Sequence, residues 1–121
     1  MQQSDGLRII DLTGTLLDQH YLVQLWLLSN SIFVWMGSAT EKPRLESLST
    51  AIATRYSPMP LITSVVGAPE MEGQQIAQRL ARRTERQCFV SCQLPDHVPE
   101  LIAYVEKEIM KRLTEEGLMK K

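Results

Sequence analysis

The chain has 121 residues, a formal net charge of −1, 44% hydrophobic and 22% charged residues. That length supports one domain with its own core and leaves no room for a second. The composition excludes a disordered chain, and the near-zero charge excludes a global field that draws in nucleic acid or anionic membrane.

Residues 7–13 read as a short strand covered partly on both faces, since Leu7 and Ile9 oppose Ile10 and Leu12. Gly14 and Asp18 punctuate a turn. The aromatic and branched runs 21–28 and 32–36 read as a hairpin closed at Ser29–Asn30, where Asn30 tolerates a left-handed backbone. Trp26 and Trp35 then sit on its strands. Interrupted by Gln24 and by Ser29, Asn30 and Ser31, these runs are too short to span a bilayer. The first six residues lack the basic and apolar regions of a secretory signal. Residues 37–43 form a polar loop, the best candidate for a mobile one.

Residues 47–54 alternate Leu48, Thr50, Ile52 and Thr54 against Ser49, Ala51 and Ala53, a strand period. A helix competes, because Leu45, Leu48 and Ile52 also share a helical face. Two prolines in residues 55–60 are expected to break either element. A short apolar strand, residues 61–66, ends at Gly67. The loop 67–73 leads into a basic helix that buries Ile76, Ala77, Leu80, Ala81 and Thr84, with Gln75, Arg79, Arg82, Arg83 and Arg86 outside. A strand over residues 87–93 follows, broken by Leu94 and Pro95. Asp96 is a candidate cap for a last helix, which tolerates Pro99 in its first turn and ends at Gly117. Its apolar stripe is Val98, Leu101, Ile102, Val105, Ile109 and Leu113. The order β-β-β-β-β-α-β-α predicts a single α+β domain, a mostly antiparallel sheet of about six strands with two helices.

Chemistry is sparse. Gly67 and Gly73 are one residue too far apart for a phosphate loop, Gln74 and Gln75 replace its Lys-Ser/Thr, and Pro69 removes an amide donor. His20 and His97 are the only histidines, and neither has finger-like spacing to Cys88 or Cys92. The two cysteines, four apart in one strand, lie roughly 13 Å from each other, too far for a disulfide, so a reducing cytoplasmic setting fits. Cys92 with His97 has nothing to orient the imidazole. The expectation is no catalytic residue, no cofactor and no metal. Glu85 interrupts the arginines of the basic helix and no aromatic is interleaved, so nucleic acid is not an expected partner. Two helices leave part of the sheet around residues 21–36 uncovered, which makes an interface in waiting.

Three ordered segments resemble the proteasome assembly chaperone 4 family over roughly residues 18 to 113. Ser31-Ile32-Phe33-Val34-Trp35-Met36-Gly37 is similar to that family's Ser-Leu-Phe-Leu-Trp-Val-Gly strand. Arg55-Tyr56, Pro60 and Thr63-Ser64-Val65-Val66-Gly67 resemble its Arg-Tyr, Pro and Thr-Ser-Leu-Leu-Gly pattern. Residues 77–84, Ala-Gln-Arg-Leu-Ala-Arg-Arg-Thr, and 89–91, Phe-Val-Ser, resemble its helix and strand. The first 17 residues and residues 37–43 match poorly and carry nothing over. The resemblance implies a non-catalytic, ATP-independent chaperone; the expected setting is the cytoplasm, with the nucleus as an alternative. It implies pairing with a sister subunit similar to proteasome assembly chaperone 3, and holding of alpha-type subunits while the 20S alpha ring forms. On that basis Trp26, Ile32, Val34 and Trp35 are candidates for the pairing surface, and Arg79, Arg82 and Arg83 for the alpha subunit. The alternative is a small α+β scaffold subunit of another cytosolic complex.

Overall fold

The structure is a computed structural model that describes residues 7–40, 45, 47–54, 57–67, 71–95 and 98–119. In chain order its elements are β1 (Arg8–Leu16), β2 (Gln19–Leu27), β3 (Ser31–Ser38), β4 (Leu48–Thr54), β5 (Ser57–Val66), α1 (Met71–Thr84), β6 (Gln87–Gln93) and α2 (Pro99–Glu115). The strands form one sheet in the order β1-β2-β3-β6-β4-β5. Neighbours pair antiparallel except β3 and β6, which run parallel. A parallel pair needs a long crossover; here β4, β5 and α1 make up that connection. The expected α+β sheet of six strands and two helices is therefore present, with one parallel seam at its centre.

Several local expectations change. Gly14 is not a turn residue: it lies in β1 opposite Tyr21, and a Cβ there would sit 2.4 Å from the Tyr21 Oη. The turn is Leu17–Asp18, with φ 53° and 63°. Two positive φ values make the mirror-image turn whose twist matches that of the flanking strands. The β2–β3 turn closes at Ser29–Asn30 as expected, with the Leu28 amide donating to the Ser31 carbonyl at 2.9 Å. Asn30 is not left-handed there. Gly37 and Ser38, expected in the loop, belong to β3. Residues 41–43 of that loop, Arg55 and Tyr56, and residues 68–70 of the loop before α1 lie outside the described residues.

Residues 48–54 are a strand, held between β5 and β6, so the helical alternative fails. The prolines do not break β5, which runs from Ser57. Among the described residues β5 is an edge strand whose outer side has no neighbouring strand, and its register against β4 shifts between Ile52 and Thr54. Missing amide donors are tolerated at edges and bulges.

Both helices pack on one face of the sheet. That inner face carries Ile10, Val23, Leu25, Ile32, Val34 and Met36, continued by Cys88, Val90 and Ala51. Onto it α1 turns Ile76, Ala77, Leu80 and Ala81, and α2 turns Leu101, Ile102, Val105, Ile109 and Leu113, the stripes expected from helical spacing. Each such aliphatic side chain larger than alanine contributes about 1.5–3 kcal/mol on full burial. The expected cap at Asp96 falls outside the described residues; Val98 takes the cap position, without a side-chain cap bond. Pro99 opens α2 where its missing amide leaves no helical bond unmade. At the other end Gly117, at φ 77°, donates to the Thr114 carbonyl, and Leu118 donates to that of Leu113. These two bonds close the helix in a Schellman motif.

Candidate interaction surface

The other face of the sheet is built by the alternate residues of the same strands, because successive strand side chains point to opposite sides. Strand pairing lines up Ile9, Trp26, Phe33, Phe89, Thr50 and Thr63 in one row across the sheet. The neighbouring row holds Asp11, Gln24, Trp35 and Ser91. Ile52 pairs with Leu61 toward the β5 edge, and both are exposed. No helix of the described residues lies over this face. Ile9 remains 52% exposed and Trp26 37%.

The face is ordered by its own contacts. Trp26 and Phe33 meet with ring centroids 5.7 Å apart at 49°. Trp35 lies over Gly37, where a Cβ would come within 2.6 Å of the indole. The Trp26 Nε1–H donates to Gln24 Oε1 at 2.7 Å, and Gln24 Nε2 donates to Asp11 Oδ1 at 3.0 Å. Gln87 Nε2 donates to Thr50 Oγ1 at 3.1 Å, and that hydroxyl donates to the Cys88 carbonyl at 3.1 Å. The surface is thus aromatic, with hydrogen-bonded polar groups around the rings. That is the composition of an interface core and rim.

The candidates named from sequence divide between the faces. Trp26 and Trp35 are on the open face. Ile32 and Val34 are fully buried on the inner face, so they belong to the core and not to any exposed surface. The reason is the strand period: Phe33 and Trp35 share one side of β3, Ile32 and Val34 the other. The open face also holds Phe33, Phe89, Ile9, Ile52 and Leu61, which the sequence reading does not single out. Alternation within β3 is enough to find Phe33, whereas Phe89 needs the β3–β6 register.

The arginines divide as well. Arg79 grips Glu106 of α2 through Nε at 2.6 Å and through Nη2 at 2.7 Å, a two-bond ion pair that ties the helices together. Arg82 reaches the Met59 sulfur at 3.6 Å and is exposed, as is Arg83. Arg86 lies beyond the helix rather than on its outer face; its Nη1 donates to the Ser29 carbonyl at 2.8 Å and braces the β2–β3 turn.

Burial pushes the Cys88 thiol up to about 11, against a smaller opposing effect of the Thr84 hydroxyl and Arg86. A thiol so held is not a nucleophile at neutral pH. Cys92 is also buried and unbridged, and His97 lies outside the described residues. Among the described residues, no helix is long and apolar enough to cross a membrane. No group of three or more His, Cys, Asp or Glu side chains among them could hold a metal ion.

Known proteins resemble this chain in sequence and in fold. The family profile described as Proteasome assembly chaperone 4 matches residues 20–94. Proteasome assembly chaperone 4 of Mus musculus is 36% identical over 87 residues, 71% of this chain and 68% of the relative. The Homo sapiens protein of that name is 34% identical over the same shares. A solved chain from the crystal structure of a novel chaperone complex for yeast 20S proteasome assembly superposes with a TM-score of 0.71. The match covers 91% of this chain and 97% of that one, and at 17% identity the likeness is one of fold. By profile and by identity, the chain belongs to the proteasome assembly chaperone 4 family.

Proposed function

We propose that this chain is a non-catalytic assembly chaperone for the 20S proteasome. In this reading it pairs with a similar small subunit through the open sheet face, and the pair holds alpha-type subunits while the alpha ring forms. Membership in the family supports the chaperone role. The observation that carries the pairing is the uncovered row Ile9, Trp26, Phe33 and Phe89, with Trp35 beside it. Removing such aromatics from water against a second apolar face supplies association energy without any catalytic group. Arg82 and Arg83, outside that face, are available to orient an acidic surface of the alpha subunit and to raise the association rate. Two unbridged cysteines favour a cytoplasmic setting.

A tagged chain recovered from native extract at endogenous level, read by mass spectrometry, tests the whole reading. The expected set is one partner of similar size and alpha-type subunits, with few mature beta-type subunits. Recovery of an unrelated complex without alpha subunits would return the chain to the scaffold alternative. Charge reversal at Arg82 and Arg83 is expected to weaken alpha-subunit capture while leaving the small pair intact. Unchanged capture would make those arginines a solvated helix face.

A further inference from the structure

Among the described residues, one carboxylate and no lysine or arginine project from the outward strand positions of the open face. The carboxylate is Asp11, on edge strand β1 in the row of Gln24 and Trp35. Arg8, in the same strand, points to the other side and pairs with Glu116 after α2. His20 stands near the hairpin tip, away from Asp11, with its Nδ1 2.7 Å from the hydroxyl of Thr15. Asp11 is also fixed in place. The Trp26 indole holds the Gln24 carbonyl oxygen, and the Gln24 amide holds one Asp11 oxygen. Asp11 itself remains exposed.

We infer that Asp11 sets the partner specificity of this face: it disfavours a second copy of this chain and selects a different, similarly apolar face that brings an arginine or lysine to the carboxylate. The inference rests on the pairing proposed above and adds the chemistry of the partner. A second copy docking by a two-fold axis in the plane of the interface has two limiting arrangements, with the axis across or along the strands. With the axis across the strands, β1 lies over β1 of the copy, whose outward Ile9, Asp11, Thr13 and Thr15 include no cation. With the axis along the strands, β1 lies over β5, whose outward Leu61, Thr63 and Val65 carry no charge. Among the described outward positions, either arrangement takes water from a carboxylate and returns no cation, and an uncompensated charge at an interface is strongly unfavourable. A partner with a guanidinium or ammonium at that point removes the penalty and fixes the register of docking.

The test compares wild type, Asp11→Asn and the double variant Asp11→Asn/Trp26→Asp. Self-association is read by sedimentation velocity on the purified chains. Capture of the similar-sized subunit from extract is read with tagged wild type, Asp11→Asn and Trp26→Asp. Asp11 is exposed and Asn keeps its shape, so folding is preserved; circular dichroism checks it for each variant. Asp11→Asn is expected to self-associate about tenfold more tightly and to capture the natural partner about tenfold less well. The added Trp26→Asp is expected to abolish the new self-association. If Asp11→Asn changes neither quantity while Trp26→Asp alone still destroys partner capture, the open face pairs and Asp11 does not choose the partner. If Trp26→Asp captures the partner as wild type does, the pairing reading itself fails and the role of Asp11 fails with it.

Discussion

The two faces of this sheet come from the same strands, yet they are built from different residues. On the inner side β3 presents Ile32, Val34 and Met36, all fully buried beneath the helices. On the outer side it presents Phe33 and Trp35, and the rows around them hold aromatics, glutamines and one carboxylate. Aliphatic side chains of moderate size suit a helix layer, because they interlock closely and have no polar atoms to satisfy. Aromatic rings with polar handles suit a surface that meets water at one time and protein at another. The contrast within a single strand separates what holds the fold from what is available to a partner.

The largest effect is expected where that separation is tested directly. Ile32→Ala should lower the unfolding free energy of the isolated chain by about 2–5 kcal/mol, through lost transfer energy and a cavity under the helices. Trp35→Ala removes a larger side chain from the same strand, but one that is only half-buried in the free chain. It should cost the isolated chain less than Ile32→Ala and weaken pairing more. Urea titrations of both variants, beside capture of the small partner, check this. Equal loss of stability would make the outer face part of the core and erase the distinction.

A second break lies on the inner face, at Cys88. Burial holds its thiol up to about 11, so the folded chain keeps a proton that the unfolded chain loses near the ordinary thiol value. Between those two pH values the unfolded state binds fewer protons, and stability must fall as pH rises. The contribution, about 3 kcal/mol, is complete below roughly pH 8 and lost as pH climbs through 11. Tyr21, raised by burial and then by Tyr104 and Glu108, acts in the same direction. Comparison with Cys88→Ala isolates the thiol: the variant should lose less stability between about pH 8 and pH 10.5. Parallel curves would mean that water reaches the sulfur.

How much of this is legible in the sequence depends on the range of each signal. The helix stripes, Ile76 to Thr84 and Leu101 to Leu113, are readable because their periodicity is local. The strand at residues 87–93 is readable for the same reason. The prolines at 58 and 60 mislead, because their effect depends on β5 lying at the sheet edge, which is a property of strand order. Gly14 misleads because its reason is Tyr21, a partner across the hairpin. At the candidate surface, the choice of Ile32 and Val34 overlooks an alternation already present within β3. Phe89 and the place of Asp11 on the open face become visible only through register and strand order.

Gly14 offers a smaller test of the inner side. An alanine Cβ would fall 2.4 Å from the Tyr21 Oη, so the ring that packs edge-on to Tyr104 at 6.2 Å must move. Gly14→Ala should cost about 1–3 kcal/mol, the usual range for overpacking. Thermal melts of Gly14→Ala with and without Tyr21→Phe measure it. Tyr21→Phe removes the clashing oxygen and should recover part of the loss; no recovery would place the clash on the ring carbons, 2.6 and 2.9 Å from that Cβ.

The smallest expected change belongs to neither face. Leu17, 60% exposed at the tip of the β1–β2 hairpin, holds φ 53° with a side chain that disfavours it. A left-handed backbone costs an ordinary L-residue about 1–2 kcal/mol, and asparagine adopts it more readily because its side chain bonds locally. Leu17→Asn should therefore raise the unfolding free energy by about 1 kcal/mol, by relieving that strain in the turn. It touches no residue of the aromatic row, so capture of the small partner should stay at the wild-type level. A gain in stability with unchanged capture would show that fold stability and pairing can be moved independently. A change in capture would place the hairpin tip, with His20 beside it, inside the interface and extend the pairing surface beyond the aromatic row.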